Sequence, residues 1–216
     1  MIELVVASTS CGKIREIRDA LSRLDIALLS LADVGWSDEI PETGATFEEN
    51  AALKAEAVAG ATDRLVLADD SGLEVDALGG GPGVYSTRFA GPGTTAQERN
   101  RELVRRLRAT GTAPPWPAQY RCVLALAGPD LPTRTFEGSC RGAIVPEPRG
   151  TGGFGYDPIF LLPDRGLTVG QITLAEKQAV SHRGLALRKL REWLEPWLVS
   201  GSAGAQPAPL RGRNTR

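Results

Sequence analysis

The chain has 216 residues, 42% apolar and 24% charged, with a formal net charge of -1. That length and balance build a globular protein with a real core, and near-zero charge leaves no basic field for duplex nucleic acid, so a small anionic ligand must be met by local lysines and arginines. Three widely spaced cysteines point to reduced thiols in a cytoplasm, a single histidine leaves no second imidazole for a zinc cluster, and no leader-like or membrane-length apolar segment stands in the sequence, so neither a membrane nor a nucleic acid is expected as a partner.

Apolar β-type runs at 2–7, 27–31 and 65–68 alternate with helical patterns, the sign of an α/β sheet. The first helix shows Ile14, Ile17, Leu21 and Leu24 on one stripe. Three further helix starts carry the capping-box pattern, in which side chains satisfy orphan amides: Thr46 with Glu49, Thr95 with Glu98, and Thr173 with Glu176. Segments 120–127 and 133–140, separated by Gly128-Pro129-Asp130, predict an antiparallel hairpin that 142–145 continues, so the sheet is mixed. Leu187, Leu190, Leu194 and Trp197 mark a last helix. We therefore expect one domain over 1–199. Residues 200–216, rich in Gly, Ala, Ser and Pro with three arginines, are expected to form a disordered tail.

Several segments carry chemistry. Ser8-Thr9-Ser10-Cys11-Gly12-Lys13 joins the first strand to the first helix, where hydroxyls, free helix amides and a lysine suit an anion. It is no P-loop, because Ala7 and Ile14 stand where the first glycine and the final Ser/Thr belong. Read alone, it is equally a capped polar turn. Asn50 and Lys54 share a helix face. Asp69-Asp70-Ser71-Gly72 follows an apolar run, predicting two carboxylates at a strand end, suited to Mg²⁺ and to proton transfer from water, or else an Asp-Ser-Gly turn. The glycine-rich 78–85 reads as a loop at the mouth of a site or a simple surface loop. Gly-Gly-Phe-Gly-Tyr-Asp-Pro-Ile-Phe at 152–160 sets aromatics and a carboxylate on a glycine-loosened backbone. That combination suits a nucleobase, since aromatic stacking gives about 1–3 kcal/mol per base. A glycine-rich bulge with core phenylalanines is the other reading of the segment. Lys177, His182 and Arg183 form a dense donor set, unless Ser181 is only an N-cap with basic neighbours.

Taken together, these residues resemble the ITP/XTP pyrophosphatases, the hydrolases of non-standard purine nucleoside triphosphates. The resemblance spans residues 2–198 and runs through Gly12-Lys13, Glu42-Thr43-Gly44, Thr46 to Ala51, Lys54, Ala68 to Leu73, Gly152 to Phe160, Glu176-Lys177 and Ser181-His182-Arg183, in the family's order and spacing. One departure is Ser10, followed by Cys11, where the family usually has asparagine; serine cannot present an amide to the triphosphate. The resemblance implies an elongated, twisted mixed sheet flanked by helices, two lobes with a central substrate cleft, a homodimer, and Mg²⁺-dependent release of pyrophosphate from ITP, dITP or XTP that keeps these nucleotides out of DNA and RNA.

On that basis Asp70 is expected to hold Mg²⁺ with Glu42 and to activate water for attack on the α-phosphorus. Lys13, Lys54 and Lys177 would carry the phosphate charge, with the 8–13 loop and Ser71 lining the substrate. Phe154 would stack on the base within Phe154-Gly155-Tyr156-Asp157, Asp157 would face its N1-H edge, and His182 with Arg183 would read the 6-oxo group. Donors aimed at an oxo group are left unpaired against adenine's amino group, and such mismatches discriminate by roughly 10⁴ or more. A sensor without hydrolysis would need the same base and phosphate contacts but no Asp69-Asp70 carboxylates beside them.

Overall fold

The N-terminal apolar run forms β1 (Ile2–Ala7), and the structure, a computed structural model, describes residues 2–200. β2 (Ile26–Ser30) and β3 (Leu65–Val75) flank β1 and run parallel to it. β4 (Trp116–Gly128) and β5 (Leu131–Ile144) then pair antiparallel, followed by the short β6 (Phe160–Leu162) and β7 (Leu167–Thr168). The result is a mixed 7-stranded sheet in the order β2-β1-β3-β4-β5-β6-β7. The hairpin predicted from sequence is present but longer at both ends, with residues 142–144 of the continuing segment inside one unbroken β5 and Val145 just beyond it.

Helix α1 (Cys11–Leu21) connects β1 to β2, and α2 (Phe47–Thr62) connects β2 to β3. They cover opposite faces of the sheet. Ile17 and Leu21 of α1 pack with Leu4, Val6 and Leu67, whereas Ala51, Ala55 and Val58 of α2 pack with Val5, Val66 and Ala68. The first face is completed by Leu187, Leu190 and Leu194 of the last helix, α5 (His182–Ser200), which follows α3 (Ala96–Ala109) and the short α4 (Leu174–Val180). Thr95 and Thr173 form complete capping boxes; Thr46 accepts the Glu49 N-H, but the Glu49 carboxylate takes the Ala45 N-H at 2.6 Å instead of closing the box.

A third apolar cluster lies beyond, joining Leu73 and Val75 of β3 to Leu103 and Leu107 of α3, Trp116, Ile144 and Phe160. β3 therefore runs from one pair of cores into another, with Asp69-Asp70-Ser71-Gly72 in between. Sequence placed these residues at a strand end; they lie mid-strand, because pairing with β4 continues from Val66↔Ala127 to Val75↔Ala118. Cross-strand pairing overrides the turn preference of Asp-Ser-Gly.

Gly72 is needed where it stands. A Cβ there would lie 2.5 Å from both the Gly83 carbonyl and the Ser86 hydroxyl, so the turn over Gly83–Tyr85 docks on β3 only against glycine. Ser86 Oγ accepts the Leu73 N-H at 2.9 Å and donates to Gly83 at 2.6 Å, fixing the chain where it enters the cleft wall. The tail expected over 200–216 lies outside the described residues except for Ser200, which ends α5. Among the described residues no helix is long and apolar enough to cross a membrane.

Candidate active site

With α1 and α2 on opposite faces of the sheet, a crevice opens at the carboxyl end of β1, beside the middle of β3, as open α/β sheets place their ligands beyond the carboxyl ends of strands. β1 stops at Ala7, opposite Ala68, so the next β3 carbonyl, that of Asp69, faces no strand on that side. Two lysines from the two faces meet there: Lys13 Nζ at 3.4 Å and Lys54 Nζ at 2.9 Å. The cleft around them measures about 700 Å³ and reaches from Ser8, Thr9 and Ser10 to Phe154, Gly155, Tyr156, Asp157, Lys177, His182 and Arg183.

The period-2 alternation of β3 sends adjacent carboxylates to opposite faces. Asp69 points toward α1 and α5 and is saturated. Its Oδ1 meets Lys13 at 2.6 Å and the Ser71 hydroxyl at 2.8 Å; its Oδ2 accepts from Arg183 Nε at 2.7 Å and from the Cys122 thiol at 3.3 Å. Burial pushes the Asp69 carboxyl up, but Arg183 and Lys13 outweigh it and hold the group well below its ordinary value. Burial pushes the Cys122 thiol well up, so it remains a donor.

Asp70 points toward α2. Its Oδ1 meets Lys54 at 2.9 Å, while Oδ2 is buried with no partner. Burial outweighs the pull of Lys54 and raises the Asp70 carboxyl above its ordinary value. Lys54 also holds Glu42 Oε1 at 2.7 Å; burial of the lysine is outweighed by Asp70 and Glu42, which keep it an ammonium. Asp70 does not itself line the cleft, but Lys54, its partner, does.

At the other end, Phe154 lies against the start of α1. A Cβ on Gly12 would stand 2.5 Å from that ring, so glycine is what admits it. Lys177 Nζ is 4.4 Å and the Arg183 guanidinium 5.4 Å from the ring centre. Asp157 is buried and accepts from the Phe154 N-H at 2.7 Å, Lys177 at 2.6 Å and Tyr120 Oη at 3.2 Å. Burial still leaves its carboxyl raised, against the opposing pull of Lys177. His182 stacks on Tyr120 at 4.5 Å, and its Nδ1 is buried without a partner. Burial, aided by the charges of Arg183 and Lys177, drives its pKa well below the ordinary imidazole value, so the ring is neutral.

Most residues expected from sequence therefore converge on one cleft. Cys11 is exposed and does not line it; Tyr156 is buried, with its hydroxyl donating to the Ser86 carbonyl at 2.8 Å, so its ring anchors the 83–86 turn. Arg183 is fully buried, with three of its N-H groups committed to Asp69, Glu16 and Ser71. Sequence reading missed Glu16, Tyr120 and Arg88. Glu16 pairs with Lys177 at 2.7 Å and Arg183 at 2.6 Å; its one signal was a carboxylate one turn after Lys13, beside the apolar stripe of α1. Tyr120 reads as an ordinary strand aromatic, with no signal of its bond to Asp157.

Other proteins resemble this chain over nearly its whole length. The profile of the Ham1 family matches residues 4–193. A dITP/XTP pyrophosphatase of Bacillus licheniformis is 45% identical over 195 residues, covering 90% of this chain and 99% of that protein, and one of Geobacter sulfurreducens is 46% identical over 197 residues, covering 90% and 97%. The solved structure of a HAM1 protein from Coxiella burnetii superposes with a TM-score of 0.83 at 39% identity, covering 91% of this chain and 100% of that one. With the family profile, the sequence identity and the fold in agreement over nearly its whole length, the chain belongs to the Ham1 family.

Proposed function

We propose that the chain hydrolyses non-standard purine nucleoside triphosphates (ITP, dITP and XTP) to the monophosphate and pyrophosphate, with Asp70 as the base. The observation that carries the assignment is the contrast between two neighbouring carboxylates: Asp69 has every oxygen occupied, while Asp70 keeps a buried oxygen free and a raised pKa. Asp70 takes a proton from the attacking water, the water oxygen bonds to the α-phosphorus, and the bond to the β-phosphate bridging oxygen breaks. Lys13 and Lys54, already directed at one carbonyl between them, offset the negative charge that develops.

Asp70 and Glu42 fit a hard divalent ion such as Mg²⁺: both are oxygen ligands, they share Lys54, and Asp70 Oδ2 has no hydrogen-bond partner. Among the described residues no group of three His, Cys, Asp or Glu side chains encloses a metal, which suits an ion held jointly with substrate phosphates. When bound, such an ion supplies charge neutralisation on the phosphates. Phe154 stacks on the base, Asp157 accepts its N1-H, and neutral His182 with the remaining Arg183 N-H groups donates to the 6-oxo oxygen. The homodimer belongs to the same reading and is checked by light scattering.

The test is product analysis of ITP, ATP and GTP incubated with and without Mg²⁺. IMP and pyrophosphate from ITP are expected. IDP and phosphate would place the attack at the γ-phosphorus, and no turnover of any nucleotide would leave a binding protein.

A further inference from the structure

The lysines of the cleft are held tightly by carboxylates. Lys13 meets Asp69 at 2.6 Å, Lys54 meets Glu42 at 2.7 Å, and Lys177 meets Asp157 at 2.6 Å, each ammonium no more than 12% exposed. Each of these ammonium groups already has a carboxylate partner with which an incoming phosphate must share it. Arg88, on the opposite wall, differs. Its side chain is 44% exposed, and its ion pair, to Glu42 Oε2, is loose at 3.5 Å, beyond the usual N-H···O range. The guanidinium lies 5.1 Å over the Tyr85 ring, and Arg88 lines the cleft. Its backbone is fixed by the Arg88 N-H on the Tyr85 carbonyl at 3.0 Å and by the Ser86 anchors on β3.

Side-chain contacts also order the cleft. They run from Phe154 through Lys177, Glu16, Arg183 and Asp69 to the lysine pair, and from Lys54 through Glu42 to Arg88. Along these contacts Arg88 is the link furthest from the aromatic ring that would hold the base. We infer that Arg88 is a further substrate-binding residue, which exchanges its loose contact with Glu42 for the two terminal phosphates and grips the departing pyrophosphate. A planar fork of donors suits the paired oxygens of that group better than a point charge does. The inference rests on the hydrolysis proposed above.

The test compares product inhibition of ITP hydrolysis by pyrophosphate and by IMP in the native enzyme, Arg88→Ala and Arg88→Lys, with calorimetric titration of inorganic pyrophosphate alongside. Arg88→Ala is expected to weaken pyrophosphate binding about tenfold while leaving IMP inhibition within about twofold, and Arg88→Lys to recover part of the loss. Unchanged pyrophosphate affinity overturns the inference, as does an equal weakening by both products. A shift in the Mg²⁺ requirement alone, with pyrophosphate affinity intact, also overturns it, since Arg88 would then act only on Glu42. If the native enzyme forms no pyrophosphate from ITP, the proposed reaction fails, yet the calorimetric comparison still decides whether Arg88 binds this anion.

Discussion

The two ends of the cleft are built on opposite plans. At the end beside Phe154, Asp157, Lys177, Glu16 and Arg183 are buried and pair with one another, so the donors of the proposed base site are fixed before any ligand arrives. At the end proposed for the phosphates the Glu42 side chain is 26% exposed, Lys54 divides itself between two carboxylates, and Asp70 retains an unpartnered oxygen. Recognition benefits from groups that do not move, because a mismatched ligand then leaves them unpaired. Hydrolysis requires groups that can change partners as a proton moves and charge develops.

The largest test of this contrast sets Asp70 against Asp69. Asp70→Asn is expected to lower kcat for ITP about 10³-fold with a folded protein and measurable ITP binding, read from single-turnover kinetics and calorimetry. Normal turnover would remove Asp70 as the base. Asp69→Asn attacks the rigid network instead: an amide leaves Arg183 and Lys13 undercompensated in the interior, and a loss of about 3–5 kcal/mol is expected in denaturant unfolding. A neutral result there would show that the network is not what holds the base end in place.

Selectivity is the next largest effect. An amide at Asp157 keeps an acceptor for Lys177 but can also donate to the unprotonated N1 of adenine. Asp157→Asn is therefore expected to narrow the ratio of kcat/KM for ITP over ATP by about 10- to 100-fold. An unchanged ratio would place the N1 reader elsewhere.

The smaller effects are in pH dependence. Asp70 must be ionised to accept a proton, so kcat/KM falls as pH drops through its raised pKa; Lys54 lowers that pKa, so Lys54→Met should move the acid limb to higher pH. His182 is neutral in the fold well below its ordinary 6.5. Below that pH the unfolded chain binds a proton that the native state refuses, so stability falls with pH from 6.5 downward and is unaffected above it. His182→Phe should flatten that segment of the stability curve. Asp69 acts lower: its contribution is complete above 3.8 and is lost as pH falls through its depressed folded value, a dependence absent in Asp69→Asn.

The sequence by itself determined the alternation of strands and helices, the capped helix starts and most of the residues that line the cleft, because periodicity, caps and glycine-rich segments are local signals. Lys13, Lys54, Phe154, Asp157, Lys177 and His182 were all legible, and all line one cleft. Tertiary structure decided which neighbour does what. Asp69 and Asp70 are indistinguishable in the chain; only pairing of β3 with β4 holds them extended, and only the placement of α1, α2 and α5 on opposite faces gives Arg183 and Lys13 to one and Lys54 to the other. Glu16, Tyr120 and Arg88 stayed hidden for the same reason. Their partners are remote in sequence, and a contact between distant residues leaves no trace in local composition or spacing.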